Sequence, residues 1–140
     1  MGTEESANLA IVRRMYEAFR KGDNVTPFEV YDRDVVWRMV PADFADLKPV
    51  YYGHEGVREF WRGWLSAWDT IEFDLVSLDE IEPDAVLAEI KQVNRGRASG
   101  VEVPYRWFQV WRLRAGKVVG SYGAPTRAEA LKLADVTPAK

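Results

Sequence analysis

The apolar residues of this chain change period near Ile71, from a helical repeat to a strand alternation, and this switch limits the fold more than any single motif. Before it, Leu9, Val12, Met15, Tyr16 and Phe19 share one helical face, and Gly22-Asp23 ends that helix with a residue suited to the left-handed C′ position. Thr26-Pro27 reads as the N-cap and first residue of a short second helix running to about Tyr31. Asp34 to Val40 is strand-like, rich in β-branched residues and ended by Pro41. Residues 41 to 53 read as a loop. Within Tyr51 to Trp68 a helix then carries Val57, Phe60, Trp61, Trp64, Leu65 and Trp68 on a single face. Three tryptophans on one stripe can tile a core, or wall a cavity for a bulky apolar ligand.

Beyond the switch, Ile71, Phe73 and Leu75 alternate with Glu72 and Asp74 as a half-buried strand. Glu82-Pro83-Asp84 turns the chain into a strand from Ala85 to about Arg97. Ala98-Ser99-Gly100 forms a hairpin into a long strand, Val101 to Leu113, and Arg114-Ala115-Gly116 a second hairpin into Lys117 to Tyr122. Thr126 and Glu129 make a capping box that opens a final helix through Leu133. Helices early and antiparallel strands late predict an α+β fold, with helices on one face of a strongly curved sheet. Such a sheet encloses a conical interior, and the stripe from Val57 to Trp68 would line it.

Composition narrows the partners. The 140 residues suffice for one domain, 1–140, with a core that needs no staples. The formal charge of −3 comes from 19 basic and 22 acidic residues, and the bases are scattered, which argues against nucleic acid. The chain has no Cys, so thiol catalysis and disulfides are excluded. Acids stand where a signal peptide would carry bases, and no apolar run reaches membrane length. The expectation is a cytoplasmic protein with no membrane partner. Asn24-Val25-Thr26 matches a glycosylation sequon, an accident in a chain without an export signal. No phosphate loop, nucleophile elbow or metalloprotease pattern occurs, and His54 is the one histidine. Neither a cofactor nor a metal is expected.

The order of elements, together with MYEAFRKGD (15–23), YDRDVVWRMVP (31–41), YYGHEGVREFW (51–61), RGRASGVEV (95–103), VWRLRAGKVV (110–119) and TRAEALKLA (126–134), resembles the nuclear-transport-factor-2-like superfamily in its SnoaL-like branch. The resemblance spans nearly the whole chain. It implies a cone-shaped fold that hosts isomerases, dehydratases, cyclases, epoxide hydrolases and plain binding modules. Ketosteroid isomerases of this fold place an aspartate before a proline at the end of the first strand, where this chain has Val40 before Pro41. Their phenolic donor on the third helix corresponds to Trp61, and a pocket acid or histidine on the penultimate strand corresponds to Gln109. Polyketide cyclases carry an acid on the last strand, where this chain reads Ser121-Tyr122-Gly123. The usual acid–base groups of isomerase and cyclase chemistry are therefore replaced.

The residues themselves offer other candidates. If Val36, Arg38 and Val40 face inward, as the resemblance implies, a guanidinium enters an apolar cone and asks for a carboxylate. The other reading turns Trp37 and Met39 inward and leaves Arg38 solvated, because one residue of slip flips the face. Gln109 lies in the alternation Tyr105, Trp107, Gln109, Trp111 and is suited to orienting a ligand or to bonding a neighbouring strand. Tyr16 and Tyr122 could offer hydroxyls to the cavity or simply pack. Gln92 and Asn94 reach toward its mouth, Glu89 belongs to a solvated face, and His54 is expected to be an exposed residue at a helix start. The expected ligand site is Arg38, Trp61, Trp64, Trp107, Gln109, Trp111 and Tyr122, holding a small, largely apolar molecule with a carbonyl or carboxylate oxygen. The alternative is an association module with a filled cone. A homodimer is expected through Phe108 and Val110 on the opposite face of the same strand, unless the terminal helix covers them.

Overall fold

The computed structural model describes residues 6–23, 25–39, 48–66, 68–97 and 99–136. Helix α1, Ala7–Arg20, starts at Ser6, whose hydroxyl accepts from Leu9 N, and ends before Gly22 at a φ of 75°. Helix α2, Thr26–Val30, is held at its start by Asp23, whose carboxylate accepts from the Val25 and Thr26 amides. Strand β1 (Tyr31–Met39) begins directly after α2, three residues earlier than the sequence suggests. Asn24, Val40, Pro41 and Ala98 lie outside the described residues.

The segment expected to be a loop contains a strand. β2, Val50–Tyr52, pairs antiparallel with β1, and Tyr51 is buried against Phe60. Three residues are too short to announce a strand by alternation. Helix α3, Gly53–Ser66, follows, and Trp68 begins β3 (Trp68–Glu82) rather than ending the helix. β4 (Ala85–Gly96), β5 (Glu102–Arg114) and β6 (Lys117–Ala124) complete the meander, and α4 (Arg127–Leu133) closes the described chain. The sheet order is β2-β1-β6-β5-β4-β3, antiparallel throughout except that β1 runs parallel to β6.

Helices α1 and α3 pack into the concave face with the main core, which holds Trp37, Phe60, Trp64 and Trp111. Helix α4 does not join them. It lies on the opposite face, where Ala130, Ala134 and Val136 cover Leu87 and Val110, with Phe108 and Leu131 at the margin. The expectation of helices on one face is corrected here, and with it the apolar strip from which a dimer was inferred. Val110 is fully buried within the chain. Arg112 fastens this cover by donating to the Ala134 carbonyl at 3.1 Å and bridging to Glu82 and Asp84. Among the described residues no helix is long and apolar enough to cross a membrane.

Candidate functional site

Register decides which side chains enter the cone. Residues paired across strands point to the same face. Trp37 pairs with Ser121 and Ser121 with Trp111, while Met39 pairs with Gly123 and Gly123 with Gln109. These two rows face inward. The row between them, Arg38, Tyr122 and Val110, faces out. Arg38 is accordingly exposed, and Tyr122 joins the outer cluster under α4 with its ring folded over Gly120. Both expected cavity residues are corrected by one fact: with Gln109 inward, its partner is Gly123, and Tyr122 is one position away on a period-two strand.

The cone holds a cavity of about 360 Å³. Its walls are rings: Trp61 and Trp64 from α3, Phe19 from α1, Trp37 from β1, Trp68 from β3 and Trp107 from β5. Phe60 and Trp64 stack at 6.2 Å with planes 13° apart, and Trp64 meets Trp68 at 6.0 Å. Gly123 makes room for this wall, because a Cβ there would fall 2.7 Å from the Trp107 indole nitrogen and 2.9 Å from Met39 Sδ. Trp111, expected in the wall, is fully buried beneath it.

A polar chain forms the floor. Trp111 Nε1–H donates to the Tyr16 hydroxyl at 2.9 Å, Tyr16 O–H donates to Gln109 Oε1 at 3.0 Å, and Gln109 Nε2 donates to Ser121 Oγ at 2.6 Å. Burial pushes the Tyr16 phenol well above its ordinary range, against the lowering effect of the Trp111 bond, so Tyr16 is neutral. Gln109 reaches the cavity as expected, and its amide carries a second N–H beyond the bond to Ser121. Trp37, also in the wall, has a buried Nε1–H with no hydrogen-bond partner among the described residues.

The mouth is polar. Arg20, on α1, places its guanidinium 5.5 Å from the centre of the Phe73 ring, and Asp69, Gln92 and Tyr105 line the same rim. Gln92 donates to Asn94 at 2.9 Å, and Asn94 is completely buried behind it. Arg20 escaped the sequence reading, though its position four residues after Tyr16 on the ring-bearing face of α1 was the available signal. Glu89 stays on the outer face and bridges to Arg106 at 3.2 Å. His54 is half-buried rather than exposed, with Nε2 3.0 Å from the Tyr31 carbonyl oxygen and its ring 5.5 Å from Phe28. Among the described residues no group of His, Asp and Glu is placed to hold a metal ion.

Residues 12–121 match the SnoaL-like domain family. Among solved structures, an NTF2-like protein of unknown function from Burkholderia pseudomallei superposes with a TM-score of 0.78 at 22% identity, over 92% of this chain and 98% of that one. TerC, co-crystallised with polyporic acid, gives 0.76 at 19% identity over 93% and 99%. A protein of ketosteroid isomerase-like fold from Catenulispora acidiphila, in complex with trimethylamine, gives 0.66 at 11% identity over 91% and 93%. At these identities the likeness shows the fold and not a reaction. No functionally curated protein matches the sequence. The family and the conical α+β fold that the sequence resembled are the ones found.

Proposed function

The chain belongs to the SnoaL-like family, and we propose that it binds a small, flat, mostly apolar molecule bearing a carbonyl or carboxylate oxygen inside the cone. The observation that carries this reading is the open space of about 360 Å³, ring-walled and with the Gln109 amide in its floor. Ring walls favour flat apolar area, worth about 25 cal/mol per Å² removed from water. The Gln109 amide keeps a second N–H beyond its bond to Ser121, and a ligand oxygen accepting from it would add a buried hydrogen bond. The floor thus offers a donor to a ligand acceptor. A filled cone, which the association-module alternative requires, is at odds with this cavity.

Arg20 takes the part first assigned to Arg38. It stands at the mouth, where a ligand carboxylate would meet it while remaining partly hydrated. Among the described lining residues the one carboxylate is Asp69, at the rim. Any chemistry here is therefore polarisation of a carbonyl by the Gln109 amide rather than proton abstraction from a buried carbon acid. A homodimer would use the outer face of β3 and β4, where Val76 and Val93 are exposed, and sedimentation showing a monomer at micromolar concentration rejects it.

Tryptophan-fluorescence titration tests the binding reading. The first probes are polyporic acid, taken from the fold relative, and 2-acetylnaphthalene, which joins two flat rings to one carbonyl. Wild-type protein should be quenched saturably, and Gln109→Leu should bind the ketone about 2- to 10-fold more weakly, one neutral hydrogen bond's worth. Absence of quenching by both probes rejects the reading.

A further inference from the structure

Trp61 belongs to two spaces at once. Besides the cone, it lines a groove of about 400 Å³ between α2 and α3, whose other walls include Phe28, Tyr31, Arg58 and Arg62. Phe19 and Leu65 are also shared, while Phe60 and Trp64 line the cone and not the groove. The Trp61 ring is half-buried, 5.4 Å from Phe19 and 6.1 Å from Trp37. It therefore stands as a wall with a ligand-sized space on either side.

We infer that Trp61 is the partition that limits ligand length, and that the groove behind it suits the anionic end of a longer ligand. The inference rests on the cone being a ligand site. Two guanidiniums line the groove, and none of its described lining residues is acidic. Arg58 already holds Glu55 at 2.6 Å and lies 4.9 Å from the centre of the Phe28 ring, so among the described residues lining the groove Arg62 is the cation left to meet an anion. The cone alone accepts a two- or three-ring molecule. Cone and groove joined accept a ring head with a carboxylate tail.

The test compares 2-acetylnaphthalene with the same ketone carrying a 5-carboxypentyl chain at the far end of the rings, by titration calorimetry. Wild-type protein should bind the short ligand at least tenfold more tightly than the long one. Trp61→Ala should shift that ratio tenfold or more toward the long ligand, whereas Trp64→Ala, which enlarges only the cone, should leave it in place. Leu65→Ala, on the same partition and 40% exposed, should shift the ratio in the same direction and serves if Trp61→Ala does not fold. Adding Arg62→Gln to Trp61→Ala should weaken the long ligand threefold or more without affecting the short one. An unmoved ratio in the partition variants, or an equal shift in Trp64→Ala, overturns the partition. An unaffected long ligand in the Arg62 variant overturns the anionic assignment. Failure of the wild type to bind the short ligand overturns the binding reading, and the partition with it.

Discussion

Tyr16 links the core to the cavity floor, and its removal should be felt in two ways. Tyr16→Phe leaves Gln109 Oε1 and Trp111 Nε1–H without this partner, so urea unfolding at pH 7 should show a loss of about 1–3 kcal/mol. The second effect is in pH. Burial raises the ionisation of both Tyr16 and Tyr31 above the ordinary 10.0, so the unfolded chain releases these protons first. The stability they contribute is complete below that ordinary value and is lost as pH climbs above it. Tyr16→Phe should therefore flatten the alkaline decline by up to about 1.4 kcal/mol per pH unit. An unchanged slope would place Tyr16 in water. Gly123→Ala acts on the wall instead. The new Cβ must displace Trp107 or Met39, and we expect about 1–3 kcal/mol of lost stability together with weaker binding of 2-acetylnaphthalene. Unchanged stability and affinity would mean that the wall yields freely.

The elements differ in how far their sequence announced them. The alternation Tyr105, Trp107, Gln109, Trp111 put β5 on the page with the right face inward, because its large rings and Leu113 share one parity while the other mixes Phe108 and Val110 with Arg106 and Arg112. β1 carries apolar residues at both parities, Val35, Trp37 and Met39 against Val36, so local pattern alone could not choose. The choice is made by pairing with β6, a partner some 85 residues away whose glycine rows admit the large rings. The capping box of α4 was readable, and the Thr126 hydroxyl does accept from Glu129 N at 3.2 Å. Its destination on the outer face was not, since a short amphipathic helix does not state which apolar surface it will cover. The end of α3 depends on a distant residue too. Arg97 donates to the carbonyls of Leu65, Ser66 and Trp68, pinning the helix terminus to the β4–β5 hairpin. Arg97→Met should reduce hydrogen-exchange protection in the last turn of α3 and lower stability by about 0.5–1.5 kcal/mol. Undiminished protection there would show the contact to be incidental.

At the scale of the molecule, a sheet curled around α1 and α3 keeps a ring-lined space open, while α4 closes the sheet's other face. Period and composition could predict the cone. They could not predict whether it is filled, because six tryptophans pack a core and wall a cavity equally well. That distinction lives in the third dimension: Trp111 sits below the floor, Trp61 stands in the wall, and Gly123 leaves room between. The central claim is that this space is a ligand site whose Gln109 amide faces a ligand oxygen. A crystal structure with 2-acetylnaphthalene tests it most directly. The account predicts the ring system between Trp61, Trp64 and Trp107, with the carbonyl oxygen about 3 Å from Gln109 Nε2. A cone without the ketone while the compound sits elsewhere on the protein, or rings inside it with the oxygen turned to the mouth, would contradict it.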